Sequence, residues 1–453
     1  MTSILWDITK QCNLNCAHCY NAEKYSSNRK IGKNLTLKES LKAIDGFKKA
    51  GINHVNFLGG EPLLYPNFLD LIKYAKKEGF KVTMATNGIL LNSSVFEKMI
   101  NLGVDSITIS LDGVSAKTNN SIRGKGSFDK VINNLKKSKN LIKKKKIKLI
   151  LGFTITKKNL NDLPKLPAFA TGMGFDAIDV QYLTLDGNAI KNSSEIGFTV
   201  DEGLTATESL VKNKKDYPEI FLQVDSRPLF QYYLKLKYGV GETNIFAMRC
   251  KGSSFHYYIR SDGEMHPCGP ADSIRGLSSR DQFKFRVLNI RNEDANNILN
   301  SDYFLSFFKY VNNPETYSKI KTCKVCKFNE FCTPCPLENC RDYETRMEEC
   351  EWSMKKIFEL KKEMLNSIYL PNLKLRWYND KGIIRIFDFR KGDYVSLDKI
   401  ASEIWLSLDG RNTENIIKEL SAKYESPKVS NDVIELIAEL RNNDYLYIKQ
   451  VSI

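Results

Sequence analysis

The sequence predicts an α/β protein whose first 185 or so residues form a partial (β/α)6 barrel of the TIM type. Six short runs of β-branched and aliphatic residues alternate with helical patterns there. Six β/α units in succession imply a parallel sheet that is closed or partly closed. Near residue 370 the chain changes character, because extended segments then precede amphipathic helices. The six predicted strands cover residues 4–7, 55–58, 82–86, 106–110, 149–156 and 177–183.

The first predicted helix follows a recognisable start signal. Thr36 and Glu39 have the spacing of a capping box, in which each side chain bonds to the backbone of the other. The apolar stripe of this helix consists of Leu37, Leu41, Ile44 and Phe47.

Length and composition limit the class of protein. A chain of 453 residues is longer than a single hydrophobic core ordinarily serves, so we expect several domains. Hydrophobic residues make up 42% of it, which excludes a disordered chain. The sequence has no apolar run of the roughly 18 residues that a membrane span needs, and its start does not resemble a signal peptide. We therefore expect a cytoplasmic protein.

The net charge of +15 is spread along the chain. Its densest stretch, residues 136–148, is predicted to be the exposed end of a helix that runs into a strand. No aromatic residues interleave with these lysines, as a binder of single-stranded nucleic acid would require. Charge alone therefore does not favour nucleic-acid binding.

The eleven cysteines fall into two groups, three between positions 12 and 19 and eight between 250 and 350. Such clustering argues for metal ligation rather than disulfide bonds. Cys12, Cys16 and Cys19 have C-x3-C-x2-C spacing directly after the first strand. Three thiolates hold three corners of a 4Fe-4S cluster and leave one iron open. A zinc site is the alternative, although zinc usually takes four ligands.

Further motifs follow the second, third and fourth strands, where the chemistry of such barrels collects. They are Gly59-Gly60-Glu61-Pro62, Thr86-Asn87-Gly88 and Ser110-Leu111-Asp112-Gly113. Together with the cysteine loop they resemble the radical S-adenosylmethionine (SAM) superfamily over about 185 residues. The resemblance implies that the cluster chelates SAM and that a 5′-deoxyadenosyl radical abstracts hydrogen from an unactivated carbon. It also implies anaerobic life and an external one-electron reductant of the flavodoxin or ferredoxin type.

The same resemblance assigns the SAM contacts. The Gly-Gly-Glu backbone and the Glu61 carboxylate would hold the amino group of SAM, and the Arg123 guanidinium would lie near its carboxylate. The implied SAM-binding residues are His18, Tyr20, Gly59, Gly60, Glu61, Asn87, Ser110, Asp112, Arg123 and Gln181.

The second group of cysteines resembles the SPASM extension of radical SAM peptide and protein maturases, which implies two auxiliary 4Fe-4S clusters and three clusters in all. The implied ligands are Cys323, Cys326, Cys332 and Cys350 for the outer cluster, and Cys250, Cys268 and Cys335 for the inner one, with Cys340 as a further candidate. Only two residues separate Cys332 from Cys335, where the family usually has three. Residues 251–267 also lack the family's extra cysteine. An open iron at the inner cluster therefore stays an alternative. A zinc ribbon over residues 323–335 is another.

Residues 371–453 resemble the PqqD-type domain, also called the RiPP recognition element, of ribosomal peptide maturation. The matching positions include Tyr394, Val395, Ser396, Leu397, Ile404, Trp405, Leu408, Gly410, Leu420 and Val433. The resemblance implies three strands followed by a winged-helix arrangement, with a peptide leader added to the sheet edge. Ile404, Trp405 and Leu420 are expected in the core. A DNA-binding winged helix is the alternative, but residues 412–419 lack an arginine cluster for phosphates.

These resemblances divide the chain into five parts. They are the barrel at 1–189, a bridging region at 190–249, the SPASM domain at 250–352, a linker helix at 353–370 and the recognition domain at 371–453. The expected function is radical maturation of a leader-guided ribosomal precursor peptide, with formation of a thioether (C–S) or C–C crosslink. The alternatives are a peptide epimerase, a sulfatase-type formylglycine maturase and an iron–sulfur winged-helix regulator that binds nucleic acid.

No catalytic acid or base stands out from the sequence. Glu264, Asp272, Tyr257 and Tyr258 are all candidates. Sulfatase-type maturases place an Asp base directly after the inner-cluster cysteine, whereas Gly269 follows Cys268 in this chain. This difference disfavours the formylglycine alternative.

Overall fold

The computed structural model describes residues 2–22, 32–144, 147–224, 226–239, 256–272, 286–313, 342–372, 374–388 and 393–449. The chain divides into two compact units. The first comprises Met1–Pro228 and Glu242–Glu349, and the second comprises Leu229–Gly241 and Cys350–Ile453.

The first unit contains all six predicted strands in one parallel sheet, which confirms the predicted fold class. Each strand pairs with the next one along the chain. The strands are β1 (Ser3–Asp7), β2 (His54–Leu58), β3 (Lys81–Thr86), β4 (Ser106–Ser110), β5 (Lys148–Thr154) and β6 (Ala177–Gln181).

Three further strands extend this sheet at its two edges. β7 (Phe221–Val224) lies parallel to β6, and β8 (His256–Ile259) lies parallel to β1. β9 (Met265–His266) is antiparallel to β8, so the sheet order is β7-β6-β5-β4-β3-β2-β1-β8-β9. β8 and β9 therefore connect the cysteine-rich half of the chain to the barrel.

The helices mostly connect these strands. α1 begins with the predicted capping box, in which the Glu39 backbone N–H donates to Thr36 and the Thr36 backbone N–H donates to Glu39. None of the described helices is long and apolar enough to cross a membrane. The helices are α1 (Leu37–Lys49), α2 (Phe68–Lys77), α3 (Ser93–Asn101), α4 (Ala116–Arg123), α5 (Ser127–Lys137), α6 (Lys139–Lys144), α7 (Leu166–Met173), α8 (Asn188–Lys191), α9 (Ser193–Ile196), α10 (Val200–Lys214), α11 (Pro228–Tyr238), α12 (Ala295–Leu299) and α13 (Asp302–Asn312).

The two faces of the sheet differ in chemistry. Trp6 of β1 is buried, and its ring lies 5.6 Å from Phe47 of α1 and 5.8 Å from Phe57 of β2. Because side chains alternate along a strand, Asp7 lies on the opposite face, inside the barrel. The helix layer thus covers the apolar face, and polar side chains remain at the carboxyl ends of the strands.

In the part of the chain that the structure describes, the second unit contains two small antiparallel sheets and, from Cys350 on, four helices. β10 (Tyr369–Pro371) pairs with β14 (Leu446–Ile448), and β11 (Arg376–Asp380), β12 (Ile383–Asp388) and β13 (Asp393–Ser396) form a sheet in that order. The helices are α14 (Asp342–Asn366, in this unit from Cys350 on), α15 (Lys399–Leu406), α16 (Thr413–Tyr424) and α17 (Val429–Asn442). Ile404, Trp405 and Leu420 are buried, as predicted.

α11 also belongs to the second unit from Leu229 on, although it lies in the middle of the sequence. The ring of Trp352 in α14 packs against Phe230 and Tyr233 at 5.7 and 5.6 Å. Arg441 of α17 donates to the Leu236 carbonyl oxygen at 2.8 Å. The C-terminal strands and helices therefore share one core with a helix from the region expected to be a bridge.

Candidate functional site

The loop after β1 carries the three cysteines of the first group. Cys16 is buried, whereas Cys12 is exposed and Cys19 is half-buried. Burial raises the pKa of the Cys16 thiol to about 12, so a thiolate at this position needs a nearby cation, which a metal centre supplies. Among the described residues, no three His, Cys, Asp or Glu side chains are gathered to hold a single metal ion. A 4Fe-4S cluster does not require this, because each thiolate binds a different iron atom.

The loop after β2 packs tightly against the chain that enters the cysteine loop. The Gly60 N–H donates to the Thr9 carbonyl oxygen at 2.8 Å, and the Glu61 N–H donates to the Gln11 carbonyl oxygen at 2.7 Å. A Cβ atom on Gly60 would lie 2.1 Å from the same Gln11 oxygen. Only glycine permits this approach, so the Gly-Gly-Glu motif fixes the entrance of the cysteine loop.

The Glu61 carboxylate connects the loops after β2 and β3. It is fully buried, and its Oε1 accepts hydrogen bonds from the Thr86 hydroxyl (2.7 Å) and the Leu63 N–H (3.2 Å). Its Oε2 accepts from the Asn87 N–H at 2.8 Å. A carboxylate offers about four acceptor positions. One position on Oε2 is thus left for a further donor such as an ammonium group.

An ion triad joins Asp112 and Arg123 to His18, which belongs to the cysteine loop itself. Asp112 Oδ2 lies 2.6 Å from Arg123 Nε and 2.9 Å from His18 Nε2. Asp112 Oδ1 accepts from the Thr154 N–H at 2.8 Å. Burial by itself would raise the pKa of Asp112, but Arg123 and His18 hold that pKa well below its usual range. The Cys16 Sγ lies 4.0 Å from the Arg123 carbonyl oxygen, so the triad and the loop are in direct contact.

Two residues after β6 hold the cysteine loop and were not predicted from the sequence. Asn188 Nδ2 donates to the Cys16 carbonyl oxygen at 3.0 Å, and the Asn188 N–H donates to the Cys19 carbonyl oxygen at 2.9 Å. Gly187 has φ +55°, and a Cβ atom there would lie 2.5 Å from the Cys19 oxygen. The only signal in the sequence was a Gly-Asn pair shortly after a strand, which is typical of any turn.

The other residues implied as SAM contacts lie at or near the carboxyl ends of the strands. Ser110 ends β4 and is half-buried, and Tyr20 is 44% exposed beside Cys19. Gln181 ends β6, and its amide donates to Asp179 at 3.3 Å. Their contacts with SAM stay predictions.

Tyr258, one of the four acid/base candidates, contacts a carboxylate that the sequence reading missed. Its hydroxyl donates to Asp7 Oδ2 at 2.6 Å, and both residues are buried. Asn21, just after the cysteine loop, donates to the same oxygen at 3.3 Å. Through Asp7, these two hydrogen bonds link β1, β8 and the cysteine loop at the carboxyl end of the sheet.

The other three candidates lie in different surroundings. Arg260 Nη2 lies 2.7 Å from Glu264 Oε2, and its Nη1 lies 3.4 Å from Asp272 Oδ1. The ring of Tyr257 packs against Phe304 at 5.7 Å. Glu264 and Asp272 thus share the single positive charge of Arg260 with Asp262, which binds the same guanidinium at 2.7 Å.

Two of the eight cysteines in the second group are among the described residues. Cys268 and Cys350 are both half-buried. Cys250, Cys323, Cys326, Cys332, Cys335 and Cys340 lie outside the described residues.

Three family models match separate parts of the chain. The model of the radical SAM superfamily matches residues 6–166, and that of the SPASM iron-sulfur cluster-binding domain matches residues 250–327. The model of coenzyme PQQ synthesis protein D (PqqD) matches residues 385–446.

Relatives of known function include a heme synthase and a maturase. The AdoMet-dependent heme synthase of Methanosarcina barkeri is 25% identical over 339 residues, which cover 73% of this chain and 90% of the relative. The mycofactocin maturase MftC of Mycolicibacterium smegmatis is 31% identical over 172 residues, which cover 38% of this chain and 42% of the relative.

Among solved structures, SuiB of Streptococcus suis, bound to its precursor peptide SuiA, superimposes with a TM-score of 0.57. The sequence identity is 18%, and the match covers 73% of this chain and 71% of SuiB. At this identity the likeness supports the fold.

Proposed function

Since the chain belongs to the radical SAM superfamily and also carries SPASM and PqqD domains, we propose that this radical SAM enzyme matures a leader-guided ribosomal precursor peptide. The observation that carries the proposal is the PqqD match over residues 385–446 on a chain with a radical SAM cysteine loop. Two relatives support it, because MftC is a maturase and SuiB binds a precursor peptide. The reaction we propose forms a thioether or C–C crosslink.

The cofactors of this enzyme are SAM and 4Fe-4S clusters. When bound, they supply a radical that removes hydrogen from an unactivated carbon. We assign Cys12, Cys16 and Cys19 to the SAM-binding cluster and propose three clusters in all. The proposed auxiliary ligands are Cys323, Cys326, Cys332 and Cys350, and Cys250, Cys268 and Cys335 with Cys340 as a further candidate. An external carrier of the flavodoxin or ferredoxin type would supply electrons.

The residues of this chain position the reaction. In our assignment, the remaining acceptor position on Glu61 Oε2 receives the amino group of SAM. Asp112 Oδ2 binds Arg123 Nε and so orients the guanidinium, while the carbonyl oxygen of Arg123 lies 4.0 Å from Cys16 Sγ. Asn188 fixes the cysteine loop through two backbone carbonyl groups. A substrate carbon held inside the barrel would be shielded from water, which protects a radical from side reactions.

The leader would bind to β13, an edge of the sheet in the second unit. The Leu397 N–H donates to the Ile384 carbonyl oxygen at 2.9 Å, and Val395 pairs with Ile386. Since hydrogen bonding alternates along an antiparallel ladder, the N–H of Ser396 points away from β12. A peptide strand could pair with that edge by β-augmentation.

Co-expression of the enzyme with any short open reading frame found beside its gene tests the proposal. A crosslink lowers the mass of the peptide by about 2 Da, the loss of two hydrogen atoms, whereas epimerisation leaves the mass unchanged.

Reduced, reconstituted enzyme should also release 5′-deoxyadenosine from SAM. The Cys12→Ala/Cys16→Ala/Cys19→Ala variant should release none, because it cannot hold the cluster. Equal release by this variant would refute the radical SAM reaction.

A role in heme synthesis is the second candidate, because the match to the M. barkeri heme synthase spans 90% of that relative. The PqqD domain favours the peptide instead. Incubation of reduced enzyme with SAM and either the precursor peptide or a heme precursor separates the two, since only the true substrate changes in mass.

A further inference from the structure

An open pocket of about 510 Å³ lies against the cysteine loop, and no role has been assigned to it so far. Its walls come from the loop, from α4 and from the segment around α8. We call it the asparagine pocket, because four of its nine lining residues are asparagines. The lining residues are Asn15, Ala17, Asn120, Ser121, Ile122, Gly124, Asn188, Lys191 and Asn192.

The wall of the asparagine pocket is hydrogen-bonded directly to the backbone of a proposed cluster ligand. Asn188 Nδ2 donates to the Cys16 carbonyl oxygen, and Asn192 Nδ2 donates to the Ala17 carbonyl oxygen, both at 3.0 Å. On the opposite wall, the Ala17 N–H donates to the Ile122 carbonyl oxygen at 2.8 Å. The asparagine pocket therefore lies directly against the backbone of the cysteine loop at Cys16 and Ala17.

Two of the residues proposed to contact SAM, Asn87 and Glu61, lie beside a different cysteine. Asn87 Nδ2 lies 3.9 Å from Cys12 Sγ, and Glu61 accepts from the Asn87 N–H. Neither Asn87 nor Glu61 lines the asparagine pocket, which adjoins Cys16. The pocket thus gives access to the cluster loop from a side that these SAM contacts do not use.

The charges at the asparagine pocket suit an acidic partner. Lys191 lines the pocket and Lys125 directly follows Gly124 of its wall, and both side chains are exposed. No aspartate or glutamate is among the lining residues. Within the described part of the chain, Lys125 and Lys191 form no salt bridge. Complementary charge of this kind speeds the encounter of two proteins.

We propose that the asparagine pocket is the docking surface for an acidic one-electron carrier protein that reduces the SAM-binding cluster. The inference rests on the proposed function, because it needs a cluster on Cys12, Cys16 and Cys19. The reduced centre of the carrier loses one electron and the cluster gains that electron, while no covalent bond forms or breaks. Asn188 and Asn192 connect the docking surface to the loop, and Lys125 and Lys191 attract the carrier.

The test compares two electron donors on the full-length reconstituted enzyme. The Lys125→Glu/Lys191→Glu variant reverses the local charge, and Lys98→Glu, on the exposed side of α3, is the control away from the pocket. Each enzyme is reduced either with dithionite or with a bacterial flavodoxin and its reductase, and release of 5′-deoxyadenosine is measured. We expect the flavodoxin-driven rate of the double variant to fall about tenfold at low salt, because electrostatic steering is lost.

The dithionite-driven rate of the double variant should equal that of the wild type, and Lys98→Glu should resemble the wild type with both donors. Increasing salt should slow the wild type with flavodoxin and have little effect on the double variant. An unchanged flavodoxin rate in the double variant would overturn the proposal, and so would an equal loss with both donors, which indicates a damaged loop. Wild-type enzyme that does not cleave SAM with dithionite would instead refute the proposed function.

Discussion

At the scale of single residues, the ion triad contributes to the stability of the fold. Asp112 is fully buried, and Arg123 is the charged group that balances it. We predict that Arg123→Gln destabilises the apoprotein by about 3–5 kcal/mol, because it leaves a buried carboxylate without its cation. Arg123→Gln/Asp112→Asn should recover much of this loss, since no buried charge remains. Urea denaturation at pH 7 measures both, with the exposed Lys125→Gln as control.

The same pair gives a dependence on pH. The folded-state pKa of Asp112 lies below its value in the unfolded chain, roughly 3.9. Ionised Asp112 therefore stabilises the fold above roughly pH 4, and this contribution is lost as the pH falls further. The wild type should lose stability more steeply below pH 4 than the double variant. Parallel curves for the two proteins would contradict the role of the pair.

At the scale of elements, the turn between β6 and α8 determines whether the cysteine loop reaches its position. Gly187→Ala places a methyl group 2.5 Å from the Cys19 carbonyl oxygen, so the loop or the turn must move. We predict a loss of about half or more of the iron bound to the loop, since misplaced ligands lose affinity. The readout is iron per chain in a protein whose auxiliary cysteines are replaced by alanine.

The control for this substitution is Gly172→Ala in α7, where an added methyl group meets nothing within 4 Å. Alanine in a helix is favoured over glycine by about 1 kcal/mol, so this variant should keep its iron and its stability. Wild-type iron content in Gly187→Ala would show that the turn adapts without effect on the loop.

The elements also show what a sequence can and cannot predict. β1 to β6 were recognisable because each is a run of β-branched and aliphatic residues followed by a helix. β8 is four residues long and pairs with a strand 253 positions earlier, so no local pattern could identify it. The Cys-loop and Gly-Gly-Glu motifs could also be recognised, because each is a pattern of residues that are neighbours in the sequence. Asn188 and Asp7 were not, since their importance depends on contacts between distant segments.

At the scale of the whole molecule, the second compact unit contains Leu229–Gly241 and Cys350–Ile453, and so more than residues 371–453. Removing those residues would remove Glu435 and Arg441, which hydrogen-bond to α11 through the Tyr232 hydroxyl and the Leu236 carbonyl oxygen. A truncated chain would therefore lose stability as well as its peptide site. Ser396→Pro is the sharper variant, because it removes one outward N–H from an edge strand, where proline is tolerated. We predict that it abolishes peptide modification and spares uncoupled SAM cleavage.

The matched control is Ser396→Ala, which keeps the backbone N–H and should process the peptide normally. Mass spectrometry of the peptide and release of 5′-deoxyadenosine give the two readouts. If Ser396→Pro modified the peptide as well as Ser396→Ala did, the leader would not pair with β13.

The position of β8 beside β1 also affects how the chain folds during translation. The partner of Ser3, His256, follows it by 253 residues, which corresponds to roughly 13–50 s of synthesis at 5–20 residues per second. Until then one edge of β1, next to the cysteine loop, has no β8 to pair with, and open strand edges promote aggregation. Slower translation or a stalled ribosome prolongs that interval. The yield of soluble enzyme therefore depends on how quickly the second half of the chain follows the first.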